Sequence, residues 1–311
     1  MSTANVAIIA GPTASGKSGL GAKLAQAVSG VVINADSQQL YAALPILTAQ
    51  PGPALTGMAP HRLYGVVDPT TRVNAAWWAD QARAEIAHAQ GAGQMPILVG
   101  GTGLYLEVLM RGIAAIPDIP ASARAEAQAD FDAIGRAAFY ARLIAADPAS
   151  RSLNMGDTQR ILRAWEVFSA TGRPITAWQQ DAVGQSDLTF HPFVILPPRD
   201  EVRAACDGRF VQMIESGVVG EVESFIRQYG SAVPAARALG FGALASHIKQ
   251  NASLSESIEQ AQAQTRQYAK RQSTWFRNRF KKTTLYRGVF DSADGTVLEK
   301  IESYLRTLNQ N

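Results

Sequence analysis

Gly11-Pro12-Thr13-Ala14-Ser15-Gly16-Lys17-Ser18 follows directly on a compact apolar run, Val6–Ala10. The octet has the spacing G-x-x-x-x-G-K-S, and the run before it reads as a buried strand of a parallel sheet. Its glycines allow a loop tight enough for backbone amides to face phosphate oxygens. The helix that must follow adds positive partial charge at its N-terminus. Lys17 supplies a charge for terminal phosphates, and Ser18 a hydroxyl able to hold Mg²⁺. The expected helix covers about residues 17–28, with Leu20 and Leu24 on one face and Gly30 as its stop.

Outward from this octet, strand and helix patterns alternate. Val31–Ala35 reads as a second buried strand ending at Asp36, and Arg62–Val67 as a third. Ala75–Gln90 has helical spacing, with Trp77, Trp78, Ala82 and Ile86 inward. Pro96–Val99 is another short apolar run, closed by Gly100-Gly101-Thr102-Gly103 and followed by a helix. This alternation predicts an α/β fold, a P-loop core whose parallel sheet is flanked by helices.

The texture changes after Gly112. Ile116–Pro120 is linker-like, and residues 121–185 carry only helical patterns. In one of them Asp157 is the expected N-cap of a stripe formed by Ile161, Leu162, Trp165 and Phe168, stopped by Gly172 and Pro174. Strand texture returns near Phe193–Leu196. The expected division is therefore a core of residues 1–115 and 190–311, interrupted by an all-helical insertion at 116–189. Helices are expected over Asp200–Ser216, Val219–Gln228, Ala235–Gln250 and Ser255–Lys281, then a strand near Thr284–Arg287 and a closing helix.

Hydrophobic residues at 47% and charged residues at 18% fit a chain with a sizeable core. The net charge of +3 is small, but its distribution is uneven. Between Glu259 and Asp291 stand Arg266, Lys270, Arg271, Arg277, Arg279, Lys281, Lys282 and Arg287, with no acid among them. Such a block reads either as a docking face for a polyanion or as a solvated helix face. Arg266, Lys270, Arg277 and Lys281 recur at helical spacing, so they share one face; Tyr268, Trp275 and Phe276 lie among them and fit a buried core as well as a polyanion-docking surface. The single cysteine, Cys206, allows no intrachain disulfide and no thiolate metal site, and its context gives it no nucleophile-like role. With no apolar stretch of spanning length, a cytoplasmic location without membrane attachment is expected. No exposed apolar stripe asks for a second copy, so the expected state is a monomer.

A phosphate loop leaves the reaction open. An NTPase would place a carboxylate after a second strand for Mg²⁺ and water, but Pro96–Val99 ends in Gly100-Gly101-Thr102. Asp36 lies at the carboxyl edge of the sheet, where open parallel sheets bind ligands. It can take a proton from an acceptor nucleophile while the loop grips a phosphate group, or it can simply cap the next turn. A small-molecule or nucleotide kinase, or a non-catalytic RNA-binding module, uses the same parts.

Five blocks carry a resemblance that covers nearly the whole chain. Gly11–Ser18 (GPTASGKS), Asn34–Tyr41 (NADSQQLY), Val99–Tyr105 (VGGTGLY), Gln159–Val167 (QRILRAWEV) and Thr265–Arg277 (TRQYAKRQSTWFR) together resemble the tRNA dimethylallyltransferases, also called isopentenyl-tRNA transferases. The resemblance implies dimethylallyl diphosphate held at Gly11, Pro12, Thr13, Ala14, Ser15, Gly16, Lys17 and Ser18, with Mg²⁺ near Ser18. It implies an acceptor amine, N6 of the adenosine at tRNA position 37 in the anticodon stem-loop. Asp36 matches the base on that amine, Thr102 a residue at the flipped base, and Arg209 a partner of the diphosphate alongside Lys17. Contacts to tRNA would fall at Asp36, Ser37, Gln38, Gln39, Thr102, Arg124, Gln159, Arg160, Ile161, Leu162, Arg163, Arg237, Gly240 and Gly242, and physical reasoning adds Arg266, Lys270 and Arg277. The chain departs from the family pattern at Gln50, where a lysine is usual, and at Gly242, where a basic residue is usual.

Overall fold

The computed structural model describes residues 4–114, 116–180, 187–280, 284–286, 288, 290 and 295–308. Its centre is a six-stranded parallel sheet. The strands are β1 (Ala4–Ala10), β2 (Gly30–Asn34), β3 (His61–Arg62), β4 (Met95–Gly100), β5 (Leu188–Ile195) and β6 (Thr284–Tyr286). Their order is β3-β2-β4-β1-β5-β6. Val6–Ala10, Val31–Ile33 and Ile97–Val99 are almost wholly shielded, which is why these strands read as continuous apolar runs.

The helices in chain order are α1 (Lys17–Ala27), α2 (Pro53–Thr56), α3 (Ala75–Gly91), α4 (Gly103–Arg111), α5 (Ala121–Ala146), α6 (Thr158–Thr171), α7 (Ile175–Gln180), α8 (Arg199–Glu215), α9 (Val218–Tyr229), α10 (Phe241–Ile248), α11 (Leu254–Arg279) and α12 (Thr296–Leu308). None among the described residues is long and apolar enough to cross a membrane. The chain forms two compact units, one of Met1–Met110 with Asp187–Asn311 and one of Arg111–Ser186.

In the first unit, register decides where the site lies. Ala10 pairs with Gly100 and with Val194, and Asn34 pairs with Val99. Three strands therefore end level, and Gly11, Asp36 and Gly101 leave from one edge. β1 stands between β4 and β5, and the chain leaves it toward β2 on one side and returns to β5 on the other. That is the switch point at which open sheets form a crevice. Trp78 of α3 is fully buried, stacks on Tyr105 at 4.7 Å, and its Nε1–H donates to the Asn34 carbonyl at 2.8 Å. An aromatic ring with one polar atom, satisfied in the core, thus pins the end of β2 two residues before Asp36.

The second unit has its own small core, Phe139, Leu143, Ile161 and Ala164, edged by Phe131 and Trp165. Asp157 caps α6 by accepting from the Arg160 amide at 3.2 Å, as its position after a loop and before an apolar stripe predicts. The buried Asp147 carboxylate accepts from Ser150 Oγ at 2.8 Å and Thr176 Oγ1 at 3.0 Å, joining the turn after α5 to α7.

Three expectations are corrected. The third strand is His61–Arg62 only, because Leu63 (φ 62°) and Gly65 (φ 61°) turn the chain out of line; Val67 keeps a single bridge to Tyr41. The helix expected over Ala235–Gln250 is a short 3₁₀ turn, Pro234–Arg237, then α10, because Gly240 sits at φ 83° between them. Ile161, expected at the RNA surface, is fully buried in the second unit's core and cannot offer its side chain to RNA. Lys281, Lys282, Arg287 and residues 181–186 of the insertion expected at 116–189 lie outside the described residues.

Candidate active site

The loop between β1 and α1 is shaped from both sides. Gly16 adopts φ 82°, and a Cβ there would collide with the Phe290 carbonyl, while the Phe290 amide donates to Ser15 O at 3.0 Å. Ala14 is also left-handed at φ 61°, an uncommon state for a residue with a Cβ. Ser15 Oγ is buried and has no hydrogen-bond partner among the described residues, an orphan of the kind a phosphate oxygen or an ordered water satisfies.

Lys17 is 8% exposed, and its Nζ donates to Pro12 O at 3.2 Å. Burial pushes its pKa down to about 8; Asp36 opposes that shift and the Arg209 guanidinium adds to it. Arg209 extends from α8 and donates to Thr13 Oγ1. Burial lowers its pKa too, but a guanidinium stays charged at neutral pH. Two cations are thus held close together beside a loop of amides, an arrangement that an anion relieves.

Asp36 is 9% exposed and faces the same cavity. Its amide donates to Asn34 Oδ1 at 2.8 Å, and its Oδ1 accepts from the Gln38 amide at 3.0 Å. The turn-capping role is therefore real, and it fixes the carboxylate. Thr102 stands beside it: the Thr102 amide donates to Ala35 O at 3.1 Å, and its Oγ1 accepts from the Ser37 amide at 2.9 Å. Tyr268 of α11 hydrogen-bonds to the side chains of Thr102 and Gln38; burial first, then Asp36, push its phenol up to about 12, so it stays protonated.

The cavity has a volume of about 480 Å³. Thr13–Gly19, Asp36, Gln38, Arg209 and Tyr268 give it polar walls; Leu47, Phe210, Met213 and Leu239 give it an apolar one. Cys206 lines it as well, with a thiol pushed up by burial and packed on Ala14, Val202 and Ala269, so it stays a neutral filler.

The structure brings together Lys17, the phosphate loop, Asp36, Thr102 and Arg209. Ser37, Gln38 and Gln39 flank them, although Gln39 Nε2 is engaged with Thr48 O and Ala49 O at 3.0 and 2.6 Å. Gln50, in place of the usual lysine, donates to Tyr41 O at 2.8 Å and so braces the same loop. Arg237 and Gly242 are exposed, whereas Gly240 is buried at the break before α10. Arg124, Gln159 and Arg160 are exposed, and Leu162 and Arg163 half-buried, all in the second unit. Arg160 pairs with Asp157 and Arg163 with Glu166, each at 3.3 Å.

A second groove of about 490 Å³ runs between α8 and α11, lined by Arg199, Arg203, Arg266, Lys270 and Arg277. Arg266 is ion-paired to Asp207, which reduces the charge it offers. Sequence reasoning missed Arg199 and Arg203, which flank the basic block in space but not in sequence. It also missed Gln272, whose side chain bonds the Thr13 amide and the Gly101 carbonyl, since a lone glutamine inside a helix gives no signal.

A parallel sheet with a phosphate loop at its switch point, a buried Lys17 beside a half-buried Arg209 and a facing carboxylate defines a P-loop α/β protein with a cationic pocket at the sheet edge. The family model described as IPP transferase matches residues 39–279, and the chain belongs to this family. It is 49% identical over 280 residues to the tRNA dimethylallyltransferase of Rhodospirillum centenum, covering 89% of each chain. It is 44% identical over 304 residues to that of Paramagnetospirillum magneticum, covering 96% of each. Among solved structures it is similar to the full-length tRNA isopentenylpyrophosphate transferase of Bacillus halodurans, with TM-score 0.71, 27% identity, and 98% and 96% of the two chains covered. A eukaryotic dimethylallyltransferase acting on tRNA shares the fold at TM-score 0.80 and 22% identity, over 96% of this chain and 77% of that one.

Proposed function

We propose that this chain transfers a dimethylallyl group from dimethylallyl diphosphate to the N6 amine of the adenosine at tRNA position 37, releasing diphosphate. One observation carries the reading: a single cavity joins a cationic phosphate clamp, a facing carboxylate and an apolar wall of Leu47, Phe210, Met213 and Leu239. The C1–O bond of the donor breaks, the N6–C1 bond forms, and the N6 proton goes to Asp36. An exocyclic adenine amine is a weak nucleophile, so the leaving group must be stabilised as its charge grows. Lys17, the loop amides and Arg209 act there as a preorganised set of charges and dipoles. Leu47, Phe210, Met213 and Leu239 shield the carbon where positive charge develops. The base must leave its stack to reach Asp36 and Thr102.

A divalent ion fits this site only with help from the substrate. Among the described residues no group of three or more His, Cys, Asp or Glu side chains could hold a metal. Ser18 lines the cavity, and the orphan Ser15 Oγ lies in the same loop. Mg²⁺ would be held by Ser18, diphosphate oxygens and water, and would add charge neutralisation on the leaving group.

We assign the groove of Arg199, Arg203, Lys270 and Arg277 to tRNA phosphates, together with the exposed arginines of the second unit. A tRNA substrate also sets the compartment, the cytoplasm. One chain contains every group the reaction uses, so the working unit is a monomer.

Incubation with unmodified tRNA and labelled dimethylallyl diphosphate tests the reading, with label expected in the RNA. Absence of label while the enzyme binds both substrates rejects it. Truncating Arg203 or Arg277 to alanine is expected to lower the slope of log affinity against log salt by about one for each phosphate that the side chain neutralises in the parent. An unchanged slope removes the groove from the RNA footprint.

A further inference from the structure

We infer that Gln272 is a positioning residue that sets the spacing between the leaving-group clamp and the acceptor side of the site. The inference rests on the reaction proposed above. Gln272 lies on α11 and is 5% exposed. Its Oε1 accepts from the Thr13 amide at 2.8 Å, and its Nε2 donates to the Gly101 carbonyl at 2.8 Å. One side-chain amide thus bridges two loops that leave different strands, each through a buried backbone group.

Both ends of the bridge reach functional atoms. At the phosphate loop, the Thr13 N–H is spent on Gln272, while Thr13 Oγ1 accepts from Arg209. At the other end, Gln272 holds the carbonyl of the Gly101–Thr102 peptide, and Ala35 O holds its N–H at 3.1 Å. Thr102 then receives the Ser37 amide, so the two residues flanking Asp36 are fixed from the same peptide. The path from clamp to base runs Thr13, Gln272, Gly101–Thr102, then Ala35 and Ser37.

The geometry admits no simple substitute. A Cβ at Gly101 would collide with Gln272 Nε2, so the glycine there makes room for the bridge. Asparagine is one methylene too short to span both loops. A glutamate carboxylate accepts from Thr13 but turns an oxygen, not a donor, on Gly101 O. Methionine fills the space and leaves both backbone groups unpaired.

The test is steady-state transfer by Q272M and Q272E, with tRNA affinity measured separately. Q272M is expected to lower kcat about a hundredfold, the scale of an ångström-level misplacement, with tRNA affinity within about threefold of the parent. A kcat within about threefold overturns the inference. Q272E supplies a readout that a packing role does not move. Its protonated acid has the amide's donor and acceptor pattern, so its activity relative to the parent is expected to rise at least about fivefold between pH 8.5 and 6; a flat ratio counts against the bridge. G101A is expected to resemble Q272M and to add nothing in the double variant, whereas additive losses overturn the coupling. Hydrogen exchange at the Thr13 amide reads the bridge without catalysis: protection in the parent should be lost in Q272M, and unchanged protection overturns the inference. If the parent transfers no prenyl group, the proposed reaction fails, and the Thr13 exchange result alone decides for or against the bridge.

Discussion

Replacing Asp36 with asparagine is expected to lower turnover about a thousandfold, within the range general bases contribute, while tRNA binding changes little. The asparagine separates the two roles that sequence left open. Its Oδ1 still accepts from the Gln38 amide, so the turn that presents Ser37 and Gln38 survives. What it lacks is a site for the N6 proton. If the carboxylate serves only as a turn cap, D36N retains near-parental turnover and D36A loses it through disorder of the loop. If it serves as base, both variants are slow, and only D36A weakens the turn. Single-turnover transfer on preformed complexes distinguishes these, and near-parental rates in D36N eliminate Asp36 as the base. Binding can even tighten slightly in D36N, since a buried negative charge near RNA phosphates has been removed.

Much of this site was legible because its parts are local. Val6–Ala10 followed by an octet with two glycines, a lysine and a serine specifies strand, loop and helix within twenty residues. Asp36 could be placed because β2 is short and continuously apolar, so its end is visible. Residues joined through α11 were far harder to read. Gln272 is 171 residues from Gly101 and 259 from Thr13, and no periodicity marks a helical glutamine as a bridge. Tyr268 and Phe276 fell under one description, aromatics at helical spacing, yet Phe276 is core and Tyr268 lines the cavity. Only the rotation of α11 against the sheet separates them. The overextended third strand and the missing break at Gly240 share a cause. Both depend on residues with positive φ, and Leu63 gives no sign in its side chain that it adopts one. Ile161 was misplaced for another reason: a motif taken as a block lends one role to all its residues, whereas on α6 Gln159 and Arg160 stay exposed and Ile161 turns inward.

Replacing Lys17 with methionine is expected to lower kcat/KM for the donor about a hundred- to a thousandfold, the scale of losing one preorganised charge on a developing anion, and to stabilise the free protein. The second effect follows from burial. An unfolded lysine titrates at 10.5, and the folded one at about 8. Between these values the unfolded chain holds the extra proton, so stability rises with pH across that window. The full penalty, on the order of 3 kcal/mol, is present below pH 8, where the folded chain must bury the charge. Methionine removes the charge and keeps the packing, so thermal unfolding of the free K17M protein at pH 7 should move up by several degrees, with a smaller gain at pH 10. The donor reverses the balance, because its diphosphate compensates the buried ammonium and so stabilises the parent more than the variant. In the free parent enzyme, deprotonation of Lys17 should make kcat/KM fall as pH rises through about 8, and K17M should lack that limb. Equal melting temperatures for the two free proteins at pH 7, with an unchanged high-pH limb in K17M, would assign the buried charge and the limb to another group.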